Sequence, residues 1–149
     1  MTSFRLTSEI IDLSEAGTWE NAVREWMLEE VYLSEEPDTC LCGHFPIVEV
    51  CVLRNKKNRN TAIVGNCCVK KFLGLPSDKI FQAVKRVSKD SDKSLNPESI
   101  QHALDRGWIN EWEQEFYLDI MKKRKLTPKQ AAKKEQINIK FLRNMERKR

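Results

Sequence analysis

CLCGHFPIVEVCVLRNKKNRNTAIVGNCCVKKFLG, residues 40–74, holds all five cysteines of the chain and one of its two histidines. Its middle reads as a β-hairpin. Ile47 to Leu53 is a β-branched run free of Gly and Pro, Arg54 to Asn60 is a polar turn rich in Asn, and Thr61 to Val64 is a second short run. Gly65-Asn66 then breaks the strand, and Cys67-Cys68-Val69-Lys70-Lys71-Phe72-Leu73 starts a helix. Sulfur and imidazole thus collect at the two ends of one hairpin.

That placement suits one tetrahedral zinc site, which needs four N or S donors, two from a tight turn and the others from elsewhere in the fold. Cys40-Leu41-Cys42-Gly43 supplies the turn, with Gly43 free to take the positive φ of a knuckle. The helix start at Cys68 supplies the rest, because free N–H groups and the helix dipole favour a thiolate there. Cys40, Cys42 and Cys68 are the expected ligands. The fourth is left open among His44, Cys51 and Cys67, in that order of preference. Disulfides are disfavoured, since Cys40 with Cys42, or Cys67 with Cys68, would close a strained ring. A knuckle, a hairpin and a helix start make up a treble-clef plan.

The string C-x-C-G-H-x-x-I, then L-R-N, then V-G-N-x-C-V-K-K-F-L resembles a group of small treble-clef zinc proteins of bacteriophage and bacterial genomes. The matching positions are Cys40, Cys42, Gly43, His44, Ile47, Asn55, Gly65, Cys68 and Phe72. The later W-I-N-E-W-E-x-x-F-Y and K-L-T-P-K-Q-A motifs are similar to a helical extension that accompanies the zinc segment in such proteins. The resemblance implies zinc, the fold and a phage or mobile-element setting, and carries no activity with it. An Asn-rich turn stands here where that pattern often has Thr-Gly.

Helices are expected on both sides of the hairpin. Thr18 can cap a helix with Trp19, Ala22, Val23, Trp26 and Met27 on its inner face, ended by Glu35-Glu36-Pro37-Asp38. After Pro76, Ser77 can cap a helix burying Ile80, Phe81, Val84 and Val87. A polar loop, SKDSDKSLN, precedes an Asn96-Pro97 helix start; Gly107 ends that helix, and Asn110 caps the next, which carries Trp112, Phe116, Tyr117, Ile120 and Met121. Thr127-Pro128-Lys129-Gln130 has the form of a capping box and begins a last helix with a thin stripe of Ala132, Ile139, Leu142 and Met145, its lysines solvated. The fold class is therefore α+β and mainly helical: an acidic N-terminal helical segment (1–38), a zinc-stapled hairpin and helix (39–75), and a helical extension with a basic last helix (76–149).

Charge is polarised along the 149 residues. Residues 1–38 hold ten acids against Arg5 and Arg24, whereas 122–149 hold twelve bases against Glu135 and Glu146. Arg54, Lys56, Lys57, Arg59, Lys70 and Lys71 surround the expected metal site with no acid between residues 50 and 77. With Lys122, Lys123, Arg124 and Lys125 of the tail they form the candidate contacts to DNA or RNA phosphates, and Asn side chains of the turn could add hydrogen bonds. The expected function is a non-enzymatic, zinc-stabilised nucleic-acid-binding protein. The alternative is a module that docks on host or viral protein machinery through Glu29, Glu30, Glu35 and Glu36, with Trp108 and Trp112 as anchors, although core packing is the blander role for those tryptophans.

Catalysis is disfavoured. His44 and Asn66 loosely match the layout of metal-dependent His-Asn nucleases, but zinc claims His44, and His102 with Asp105 at i+3 reads as a surface or satisfied histidine. No Ser-His-Asp set, phosphate loop or paired-carboxylate constellation stands out, and no small-molecule substrate is expected. No apolar run reaches the roughly 20 residues of a membrane helix, and the N-terminus lacks a signal-peptide pattern, so a cytoplasmic setting without a membrane partner is expected.

Overall fold

The computed structural model describes residues 2–147, with the side chains of Thr2, Ser3 and Arg147 left aside; Lys148 and Arg149 of the basic tail lie outside them. The fold is α+β. Two compact units emerge, one running to Asp78 and taking in the two-residue strand at Glu146–Arg147, the other spanning Lys79–Met145.

The first unit is built on the hairpin. Strands β2 (Ile47–Asn55) and β3 (Thr61–Gly65) pair antiparallel from Val50↔Gly65 to Arg54↔Thr61, as the β-branched runs predict. A longer strand, β1 (Trp26–Asp38), pairs antiparallel with the other edge of β2, and β4 (Glu146–Arg147) adds briefly in parallel to β1 at Leu33 and Ser34. Val31, Val50, Cys51, Leu53 and Val64 are fully buried in this sheet, and Leu6 and Ile10 are the buried residues of helix α1 (Thr2–Asp12).

Strand β1 overturns the helix expected from Thr18 onward. Helix continues only through α2 (Trp19–Ala22) and one tight turn at Val23–Glu25 before the chain extends. The apolar spacing of residues 19–27 fits a helical stripe, yet Met27 is exposed and the following Val31 and Tyr32 favour a strand once a partner edge is offered. Glu25 sets the switch point. Its carboxylate accepts the N–H groups of Glu15 (2.8 Å) and Ala16 (2.9 Å) and the Asn55 amide (2.9 Å), tying the start of β1 to the end of β2. Trp26 Nε1 donates to Ser14 Oγ at 2.8 Å, closing the same corner. These are contacts across the fold, which local periodicity does not encode.

The hairpin turn is held by its own asparagines. Asn55 is fully buried, and its Oδ1 accepts the N–H groups of Lys57 (2.8 Å) and Asn58 (3.2 Å) while its amide reaches Glu25. Asn58 and Asn60 both donate to the Leu13 carbonyl, at 2.9 and 2.8 Å, so the turn is fastened to the end of α1. Asn55→Ala would leave two backbone N–H groups and a carboxylate short of a partner. It is expected to cost about 3 kcal/mol in urea unfolding, against at most about 1 kcal/mol for the exposed Asn60→Ala.

In the second unit the sequence signals hold closely. Helix α4 (Ser77–Lys89), which begins at the end of the first unit, buries Ile80, Phe81, Val84 and Val87. Helices α5 (Pro97–Asp105) and α6 (Glu111–Ile120) start at full capping boxes on Asn96 and Asn110. Helix α7 (Pro128–Met145) starts at the Thr127/Gln130 box, with reciprocal bonds of 3.0 and 3.2 Å. Its buried stripe is Ile137, Phe141 and Met145 with Asn138, rather than the expected Ala132, Ile139 and Leu142. Nor are its lysines simply solvated: Lys133 (3.1 Å) and Lys140 (3.2 Å) both pair with the buried Glu113 carboxylate. Buried Tyr117 binds Asn138 Oδ1 through its hydroxyl and accepts Leu95 N–H at 2.9 Å, while the Asn138 amide donates to the Ser91 and Lys93 carbonyls. That polar stripe, invisible to an apolar pattern, seats the loop between α4 and α5.

Candidate metal centre

The knuckle at Cys40–Gly43 is built by backbone bonds. Cys40 N–H donates to the His44 carbonyl (2.9 Å), Gly43 N–H to the Cys40 carbonyl (2.8 Å), and Leu41 N–H to Ile63 of β3 (2.9 Å). Gly43 takes φ +94°, and the Arg5 side chain of α1 occupies the space where a Cβ would project. Any side chain there would be strained and would push Arg5 aside.

From the other end of the hairpin, helix α3 (Asn66–Cys68) continues as a wider turn over Val69–Leu73 and stops at Gly74 in the left-handed region. Its start is pinned by Asn66, whose Oδ1 accepts from Ser77 Oγ (2.7 Å) and whose amide donates to Glu49 and Asp78 (both 3.2 Å). This fixes where Cys68 presents its sulfur. The Sγ atoms of Cys40, Cys42 and Cys68 all lie within 4.8 Å of one another.

The surroundings of these sulfurs fit a cation. Gly65 N–H (3.3 Å) and Cys42 N–H (3.5 Å) point at Cys40 Sγ, and His44 N–H (3.4 Å) points at Cys42 Sγ. N–H groups aimed at sulfur favour thiolate. Burial pushes the Cys40 thiol up, only partly offset by those N–H bonds. Burial, joined by the charge of Cys40, pushes the Cys68 thiol well up. For Cys42 burial is outweighed by hydrogen bonds from His44, Cys40 and Cys68, which hold it below the usual range. Cys42 is thus the sulfur most disposed to be a thiolate, and holding all three as thiolates so close together would take a positive ion among them. The three cysteines could hold a metal ion.

The other candidate ligands stand apart from this group. Cys51 is fully buried in β2, its thiol pushed up to about 12 by burial. Its position in the sheet keeps it out of the cluster. His44 and Cys67 are exposed and share with the three cysteines the wall of a cavity of about 410 Å³. Neither contributes to the group whose donor atoms fall within 4.8 Å.

The basic residues sort by what already occupies them. Arg54 Nε is 2.7 Å from Glu29, and Lys70 Nζ is 3.5 Å from Asp78. Lys56, Lys57, Arg59 and Lys71 are exposed and enter no ion pair among the described residues, although Lys57 is close enough to Glu25 to favour its carboxylate. In the second unit Lys122, Arg124 and Lys125 are exposed, and Lys123 lies 3.9 Å from Asp119. Trp112, expected to pack, is 60% exposed and stacks on Phe116 at 5.4 Å, while Trp108 is half-buried. No helix of the described residues is long and apolar enough to cross a membrane.

No protein family, curated protein or solved structure matches this chain.

Proposed function

We propose that the chain is a non-enzymatic nucleic-acid-binding protein whose first unit is stapled by zinc in a treble-clef arrangement. Zinc suits the cluster because it accepts thiolate donors in a tetrahedron and has no redox chemistry of its own. The fourth donor stays open between His44, first in the order of preference and on the same cavity wall, and a ligand from outside the chain. In this reading the metal holds the knuckle, hairpin and helix start together, and the turn between them does the binding.

One observation carries the binding proposal: Lys56, Lys57 and Arg59 stand exposed on a turn whose shape is fixed by Asn55, Asn58 and Asn60. A rigid display of cations loses little entropy on meeting phosphates, and no acid lies between residues 50 and 77 to compete within that stretch. Because those asparagines spend amide donors on Glu25 and Leu13, the contact is with the nucleic-acid backbone rather than with base edges. The Lys122–Lys125 run supplies a second cationic segment.

For duplex DNA, the triple variant Lys56→Ala/Lys57→Ala/Arg59→Ala is expected to lower the slope of log affinity against log salt by about 3, since each phosphate neutralised by a side chain adds about 0.9 to it. Fluorescence anisotropy over a salt series measures this. Absence of binding at low salt in the parent protein would remove the reading. The exposed Trp112 on Phe116 favours a second reading, docking on a protein. Recovery of one partner in a nuclease-treated pull-down, abolished in Trp112→Ala, would move it ahead.

A further inference from the structure

An ion fills only a small part of a 410 Å³ space, and the wall of this one includes all three clustered cysteines, so an ion held by them would border it. A structural zinc site is closed by four protein donors, whereas a site with three protein donors keeps a position for an outside ligand. The volume falls in the range that takes up small molecules. Its walls are mixed: Ile47, Val48 and Phe72 offer hydrocarbon, while Lys71 and Glu49 bring opposite charges and Glu49 accepts from the Asn66 amide.

We propose that an ion bound by Cys40, Cys42 and Cys68 takes its fourth donor from a small thiol seated in this cavity, its sulfur on the metal and its hydrocarbon body against Ile47, Val48 and Phe72. The inference rests on the metal reading of the site and replaces His44 as the fourth donor. Zinc and its relatives among borderline-soft ions readily accept a fourth thiolate, which completes an all-sulfur set. On binding, the thiol S–H gives its proton to solvent and a sulfur lone pair forms the metal–sulfur bond; no electron changes hands. Four thiolates leave a divalent ion with excess negative charge, so a neutral-bodied thiol suits a wall on which Lys71 and Glu49 oppose each other.

The test uses the full chain loaded with Co²⁺, whose visible and sulfur-to-metal charge-transfer bands report the donor set. Phenylmethanethiol and 2-mercaptoethanol, alkyl thiols of similar acidity, are titrated in turn. Expected is a saturable one-to-one rise of the charge-transfer band with both, phenylmethanethiol binding at least about fivefold tighter because its ring is packed against apolar walls while its thiol acidity is close to that of 2-mercaptoethanol. Val48→Ser, at a half-exposed position of β2, should shrink that preference while keeping the melting temperature near that of the parent, and His44→Ala and Cys67→Ser should leave the thiol-free spectrum unaltered. A starting spectrum changed by either of those two variants would assign the fourth donor to the protein and overturn the proposal. So would thiols that strip the metal without saturating. Failure of the protein to take up Co²⁺ or Zn²⁺ at all would instead take down the metal reading on which this one stands.

Discussion

If Cys40, Cys42 and Cys68 hold a metal as proposed, removing it with a chelator, or replacing Cys68 by Ser, is expected to unfold the knuckle and the start of α3 and to lower the stability of the first unit by about 4 kcal/mol when free metal stands 1,000-fold above its Kd. Binding energy at such a site is folding energy, because the unfolded chain does not hold three sulfurs together. The three cysteines join segments that otherwise touch through few bonds: the knuckle meets β3 through Leu41 N–H and Ile63, and α3 is pinned by Asn66. Hydrogen exchange of peptides covering residues 40–74, with and without chelator, should show protection falling at both ends of the hairpin. The pairing of β1 with β2 should survive longer, since Glu25 and Asn55 hold it independently of sulfur. Cys67→Ser, at an exposed position outside the cluster, should leave the melting temperature near that of the parent. An unchanged exchange pattern after verified metal removal would mean that the sheet, not the metal, organises this segment.

What can be read from the residues follows from how local the determining contacts are. The hairpin, the start of α3 and the caps of α5, α6 and α7 depend on residues within a few positions of one another, so β-branched runs, Gly65-Asn66, Asn96-Pro97, Asn110 and Thr127 announce them. The cluster of Cys40, Cys42 and Cys68 is legible for the same reason once the hairpin is in place. Strand β1 is not, because its conformation is decided by Glu25 reaching Asn55 thirty residues away and by the open edge of β2. Polar side chains depart from their sequence pattern in a consistent direction. Asn55, Asn58, Lys133, Lys140 and Asn138 have the look of surface residues and are internal connectors, which only a partner's position reveals.

Charge behaves in the same way. Lys133 and Lys140 converge on one buried carboxylate, so the basic count of the last helix overstates what it can offer to a ligand. Burial opposes the charge of Glu113, yet the Asn110 N–H bond and the two lysines outweigh it and hold its pKa below the usual value. Lys56, Lys57 and Arg59 at the hairpin turn, with Lys122, Arg124 and Lys125, enter no ion pair among the described residues and are the cations the proposed phosphate contact would use.

A pH effect of its own is expected in the second unit and traces to His102, which the sequence pattern places at the surface or in a satisfied setting. The structure buries it to 7% exposure on α5, edge-on to the Trp108 ring at 5.5 Å, and leaves its Nε2 without a hydrogen-bond partner among the described residues. Trp108 in turn meets Phe141 of α7 edge-on at 5.3 Å, so the imidazole sits behind an aromatic layer. Burial lowers its pKa to about 4, the neighbouring Arg106 charge adding to the drop and Asp105 opposing it. The unfolded chain, with an ordinary histidine pKa of 6.5, therefore binds more protons than the folded one between pH 6.5 and 4. Stability is full above that window and is lost as pH falls through it, by about 2 kcal/mol on going from about pH 7.5 to about pH 5. Glu25 and Glu113 are depressed carboxylates whose contributions fade only below the ordinary carboxylate pKa, so they leave this interval clear. Urea unfolding at the two pH values, with saturating metal, measures the parent against His102→Leu. The variant should lose most of the difference, and titration of every other group, including the metal ligands, cancels in the comparison. Equal pH dependence in parent and variant would show that His102 finds a proton acceptor in the folded protein and is charged there.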